Sequence, residues 1–158
     1  MKIHDLEICK KYRFVEGEGP LEAEIMLIGQ NPGQEENKTG RPFVGRSGRY
    51  LDQTLESFGL NRDNLFLTSI VKCKTPGNRK PTQKEIQVSI PYLVRQIKTI
   101  KPSVIVLLGR VAWNTPRFDS IKYIETYHPA AAMRFPRIRK KYLNDFRKIS
   151  ELLRRTSG

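Results

Sequence analysis

The stretch "MLIGQNPGQEENKTGRPFVGRSG", Met26 to Gly48, decides the fold. An apolar run over 22–30, "EAEIMLIGQ", stops at Asn31, Pro32 and Gly33. A short apolar run closed by Asn-Pro-Gly reads as a buried strand that ends in a tight turn. A polar loop and Pro-Phe-Val-Gly follow. Then "GRSGRYLDQTLESFGL" places Tyr50, Leu51, Leu55 and Phe58 at helical spacing, starting near Ser47 and ending at Gly59. The turn also raises a functional question. A plain connector needs Gly and Pro but has no use for two adjacent amides, Gln30 and Asn31.

The alternation continues downstream. "NLFLTSIV" reads as a second strand, "PSVIVLLG" as a third and "IKYIETYHP" as a weaker fourth. Between the second and third, "TQKEIQVSIPYLVRQIKTI" opens with Thr82 and Glu85, a capping box, and puts Ile86, Ile90, Leu93 and Ile97 on one face. Pro91 inside it predicts a kink or a break. "KKYLNDFRKISELLRR" is a C-terminal helix. Strands alternating with helices pair in parallel, so the expected fold class is α/β, a three-layer α/β/α sandwich around a four-stranded parallel sheet. We expect one domain over 1–158, with residues 1–20 as an N-terminal arm and 155–158 as a tail.

The size suits one core, at 158 residues and 18.3 kDa. Apolar content of 38% argues against wholesale disorder. No apolar run approaches the ~18 residues of a membrane span, and the N-terminus lacks a signal-peptide pattern. A soluble intracellular protein is expected. Lys and Arg number 29 against 16 Asp and Glu, a formal charge of +13. Such a balance points to a polyanionic partner, nucleic acid before membrane, because the charge is patchy: "MRFPRIRKKYLNDFRK" is rich in Lys and Arg and holds a single Asp. A solubilising surface is the alternative. The two cysteines, Cys9 and Cys73, are expected to be reduced.

In open parallel sheets, ligands bind beyond the carboxyl ends of the strands. Here those ends carry "GQNPG", "KCKTPGNR", "GRVAW" and "YHPAAAMRF". Gln30 and Asn31 are neutral at every pH and both donate and accept, which suits holding a water or reading a heterocycle edge; an Asx turn at Asn31 is the alternative. Pro129 forces His128 to be extended, where it can donate to a developing anion or act as acid or base, or simply pack in its loop. Phe43 can stack on a base or plug the sheet end. Arg46 and Ser47, among glycines at a helix N-terminus, can form a phosphate cradle. His4 is assigned nothing.

Together these pieces resemble the uracil-DNA glycosylase superfamily. Its first motif, Gly-polar-x-Pro after strand one, has its counterpart in "GQNPG", and its second, His-Pro-Ser/Ala before a DNA-inserting loop, in "YHPAA". The resemblance is nearest to the iron–sulfur branch, family 4, through "NKTGRPFVGRSG", "VKCKTPGNRKPT", "PYLVRQIKTIKPSVIVLLGRVA" and "TYHPAAAMRFP". Four departures stand out. The branch's four cluster cysteines correspond to Cys9, Tyr12, Cys73 and Ser89, and two thiolates cannot hold a cluster that ordinarily takes four, so no cluster is expected. Asn31 stands where the branch has Ala, as in the mismatch-specific and single-strand-selective branches. Ser69 replaces the base-reading Asn. The segment between "LGRVAW" and "YIETYHP" is short.

The resemblance implies a monofunctional glycosylase that flips a deaminated base, uracil first, out of DNA and hydrolyses its glycosidic bond. Asn31, with Gln30 beside it, would align the water, and His128 would donate to the base oxygen where charge develops. Gly29, Phe43 and Ser69 would hold the base, with Glu36 walling off its methyl-bearing position. Met133, with Arg134 and Phe135, would fill the gap in the duplex. Arg46, Ser47, Arg79 and Lys80 would contact phosphates, and "RIRKK" would extend the basic track. The implied chemistry calls for no metal, and the expected state is a monomer. The alternatives are a glycosylase for hypoxanthine or xanthine, because Ser69 removes the amide expected to read uracil, and a non-catalytic nucleic-acid-binding domain.

Overall fold

The computed structural model describes residues 1–157, with side chains as far as residue 154. Four parallel strands form one sheet: β1 (Ile25–Gly29), β2 (Phe66–Ser69), β3 (Val104–Leu108) and β4 (Lys122–Thr126), in the order β2-β1-β3-β4. Register pairs Leu27 with Leu67 on one side and with Val106 on the other. All residues of β1, β2 and β3 are buried, as expected where helices cover both faces of a parallel sheet. β4 lies at an edge and is largely open, which explains its weaker apolar signal.

Alternation along the strands divides the core in two. Met26, Ile28, Ile105 and Leu107 point into one layer, where they meet Ile86, Leu93 and Ile97 of α4 (Gln83–Ile100) and the N-terminal Ile3, Leu6 and Ile8. Ile25, Leu27, Val104 and Val106 point into the other, against Leu51 and Leu55 of α3 (Arg46–Ser57) and Tyr142 and Phe146 of α6 (Pro136–Ser157). The three-layer sandwich expected from sequence is the observed one. The first twenty residues are more than an arm, since a single turn at Ile3–Asp5 and helix α1 (Glu7–Lys11) embed their apolar side chains in the core. At the other end α6 is helical to Ser157, and Gly158, the last residue of the expected tail, lies outside the described residues.

Two expectations need correction. Pro91 neither ends nor divides α4, which runs unbroken for 18 residues behind the Thr82–Glu85 capping box. Pro91 and Gln87, the residue that loses its helical donor, both lie on the exposed face, where water can take that carbonyl. Cys9 and Cys73, expected to be reduced, are joined in a disulfide with a Cα–Cα distance of 5.4 Å. Compartment is a weak prior once the fold holds two thiols within bridging distance. Among the described residues, no helix is long and apolar enough to cross a membrane.

Candidate active site

The sheet order reverses direction between β1 and β3, and the crevice at such a switch point is where open α/β sheets bind ligands. A cavity of about 600 Å³ lies there, lined by Gln30, Asn31, Phe43, Ser69, Asn78 and His128, among others. Gln30 and Asn31 leave β1, Ser69 ends β2 and His128 follows β4. Three chain-distant connections thus meet at one sheet edge.

Asn31 is held at both ends. Its Nδ2 donates to the Cys73 carbonyl at 3.3 Å, and its Oδ1 accepts from Gln30 Nε2 at 3.1 Å, which leaves one carbonyl lone pair uncommitted. His128 is the N-cap of α5 (Pro129–Arg134), extended as Pro129 requires. Its Nδ1 accepts from the Ala130 N–H at 3.0 Å, so a neutral ring carries its proton on Nε2. Among the described residues none accepts a hydrogen bond from that nitrogen. Burial pushes the His128 pKa down to about 4, against the opposing pull of Glu36, so the ring is neutral at physiological pH. Gly109, with φ +94°, makes room for it: a Cβ there would sit 3.3 Å from His128 Cβ.

Phe43 adopts a left-handed backbone, φ 50°, uncommon for a bulky residue. Its ring packs so closely over Gly29 that a Cβ there would lie 2.6 Å from Cζ, and its backbone similarly excludes a side chain at Gly48. Gly29, expected among the base-binding residues, is the seat of the Phe43 ring. Arg62 clamps this conformation, donating to the carbonyls of Phe43 (2.6 Å) and Pro42 while paired with Asp52 at 3.0 Å.

Glu36 fastens the loop between α2 (Gln34–Thr39) and α3. One carboxylate oxygen accepts from Gly33 N–H at 2.9 Å, the other from Val44 and Gly45 N–H at 2.9 and 2.8 Å. It lines this cavity and a neighbouring groove of about 650 Å³. That groove gathers Arg46, Ser47, Met133 and Arg134, four of the seven residues expected at DNA, while Phe135, the C-cap of α5, is exposed beside it and outside its lining. The remaining two lie elsewhere. Arg79 pairs in two-pronged fashion with Glu85 at 2.8 and 3.0 Å, and Lys80 is exposed and lines neither cavity.

The family model described as "Uracil DNA glycosylase superfamily" matches residues 16–154. The chain belongs to the uracil-DNA glycosylase superfamily. It is 44% identical over 172 residues to the type-4 uracil-DNA glycosylase of Sulfurisphaera tokodaii, covering 91% of this chain and 78% of that one. The corresponding Archaeoglobus fulgidus protein is 38% identical, covering 90% and 83%. The Thermotoga maritima protein is 36% identical, covering 89% and 83%. The superfamily assignment carries with it the expected class of enzyme, a DNA N-glycosylase, and the fold is the α/β arrangement expected of it.

Several residues of this superfamily member were missed from sequence. Asn78 reaches the cavity because Gly77 and Asn78 both turn left-handed, at φ 61° and 56°; the "PGN" turn signal was there to be read. Lys72 is fully buried and donates to Thr68 Oγ1 (2.9 Å) and to the Ser69 carbonyl, bracing the strand end beneath the cavity. Burial lowers its pKa to about 7, partly countered by Glu16. Ser69 itself donates its hydroxyl proton to the Val71 carbonyl at 2.7 Å, so towards the cavity it can only accept. Among the described residues, no three His, Cys, Asp or Glu side chains gather as a metal site.

Proposed function

We propose that this superfamily member excises uracil from DNA by hydrolysis, as a monofunctional glycosylase of base excision repair. Support comes from the type-4 uracil-DNA glycosylase relatives at 38 and 44% identity over most of the chain. The observation that carries the mechanism is the neutral His128, its proton held on Nε2 by the Ala130 N–H, beside a doubly anchored Asn31 in one cavity.

A stacked base must leave the duplex to reach this depth. Met133 then fills the vacated gap from the adjoining groove, with Arg134 beside it, while Arg46 and Ser47 at the N-terminus of α3 take a phosphate. Phe43 stacks on the extruded ring. The C1′–N bond breaks with its electron pair leaving on the base, and His128 Nε2–H donates to the base oxygen that gains charge. A neutral donor suits this role, since it stabilises the anion without surrendering its proton. The free lone pair of Asn31 Oδ1 orients a water towards C1′; water adds there, and its released proton neutralises the base. Glu36 closes the side where a methyl group would project.

The acceptor-only Ser69 suits the N3–H of uracil, but the N1–H of hypoxanthine or xanthine offers the same donor, and this favours a deaminated purine as the second reading. Oligonucleotides carrying uracil, hypoxanthine or xanthine, incubated under single turnover and then cleaved at abasic sites, separate the two. Release of uracil ahead of the purines is expected. Wild-type rates for both Asn31→Ala and His128→Ala would place the active site elsewhere, and no release of any base would leave a nucleic-acid-binding domain.

A further inference from the structure

The branch that this chain most resembles places a four-cysteine cluster where the chain carries Cys9, Tyr12, Cys73 and Ser89. The residues present do not fit such a group. The two sulfurs are bonded to each other, leaving no thiolate. The Tyr12 ring packs under the Lys74 ammonium, with Nζ 4.8 Å from its centroid. Ser89 is buried with its hydroxyl donating to the Glu85 carbonyl at 2.6 Å. Neither Tyr12 nor Ser89 supplies a thiolate, and the Ser89 hydroxyl is already committed to a backbone carbonyl.

The disulfide spans a sequence separation of 64 and ties α1 to the loop that leaves β2. That loop is also pinned one residue earlier, where the Lys72 carbonyl accepts from Val15 N–H at 2.8 Å. Cys73 is wholly buried, and its own carbonyl is the acceptor for Asn31 Nδ2. A covalent tether on the Cys73 side chain therefore fixes the atom that sets the rotation of the Asn31 amide. Gln30 steers the opposite end of that amide, so its orientation depends on two contacts, one of them made by the tethered residue.

We propose that the Cys9–Cys73 disulfide stands in for the cluster as the staple of this region, and that it is a positioning element for the reaction, aligning Asn31 through the Cys73 carbonyl. The proposal rests on the reading that Asn31 orients the water. It also makes the enzyme sensitive to reduction. A small dithiol attacks the disulfide through a mixed intermediate, giving two cysteine thiols and the cyclic disulfide of the reductant. The tether is then lost while the residues that meet DNA in the groove stay in place.

The test uses the full chain. Mass spectrometry after alkylation without reductant should find both cysteines bonded, and iron and acid-labile sulfide should be absent from anaerobically purified protein. Cys9→Ser and Cys9→Ser/Cys73→Ser should bind uracil-containing DNA within about twofold of wild type. They should excise on the order of 10-fold more slowly, a partial displacement on the scale where a 1 Å misplacement can cost about 10²-fold. Dithiothreitol should slow the wild type similarly and leave the double variant unchanged. In an Asn31→Ala background the cysteine substitutions should cost nothing further, because the two act in series. Where a cysteine variant folds poorly, the side-chain amide signals of Asn31 in NMR spectra of wild type, recorded before and after dithiol treatment, should shift on reduction.

Stoichiometric iron and sulfide, or full excision rates in a folded cysteine variant, would overturn the proposal. So would unmoved Asn31 signals, or losses that simply add to those of Asn31→Ala. A wild-type rate for Asn31→Ala alone would instead sink the reading of Asn31, a separate result.

Discussion

At the scale of single residues, His128 makes the sharpest claim. Its pKa near 4 keeps it neutral and competent from about pH 5 upwards, so the excision rate should show no break near the ordinary histidine value of 6.5. The same depression affects stability. Between pH 6.5 and 4 the unfolded chain binds a proton that the folded chain refuses, so stability falls as pH drops through that window, and His128→Ala should flatten the fall. A single-turnover pH profile and urea titrations at several pH values check both. Lys72 works in a different window. With its folded pKa near 7 and a normal value of 10.5, wild-type stability should rise from pH 7 to 10 relative to Lys72→Met. Arg62 is a mechanical part: Arg62→Met leaves two carbonyls unpaired beside a left-handed Phe43, so a loss of about 1–3 kcal/mol in urea unfolding is expected. Weaker binding of uracil-containing DNA should accompany it, and a variant with unchanged affinity would remove Phe43 from the base-holding role.

At the scale of elements, α5 and α6 act as one piece. Arg139 of α6 donates to the carbonyls of Ala132 and Met133 at 2.9 and 2.7 Å, closing the C-terminal end of α5 at Met133, the residue proposed above as the wedge. Met133→Ala should therefore slow excision from paired duplex more than from single strands, where no stacked gap must be filled. Arg139→Met should reproduce that bias without touching the wedge itself, and equal losses on both substrates would end this account of the loop. The strand-to-helix connections were largely legible in sequence because their signals are local. Apolar runs stopped by Asn-Pro-Gly, the Thr82–Glu85 capping box and the His-Pro step each act over a few residues. Pro91 was misjudged because its cost depends on whether the freed carbonyl meets water, which only the burial of its helix face reveals.

For the whole molecule, the +13 charge and the groove holding Arg46 and Arg134 should appear as a steep fall of DNA affinity with salt. The slope should be about −0.9 per neutralised phosphate, and a salt-independent affinity would reduce the basic surface to a solubilising one. Although the short helices α1, α2 and α5 went unread, at this scale the sequence alone determined the order of the four strands and the three long helices, the parallel three-layer architecture and the edge at which the motifs meet. Periodicity and turn chemistry suffice for these because they depend on neighbours along the chain. It also supplied Asn31, Phe43 and His128 at that edge, since each follows a strand end or precedes the next helix, while Ser69, the last residue of β2, came from the family resemblance. Only the tertiary structure decided what holds them. The Arg62 clamp acts across 19 residues, the Asn31–Cys73 contact across 42 and the Cys9–Cys73 bond across 64. Partners that far apart leave no local signal, because their meeting is a property of the packed sheet rather than of either segment.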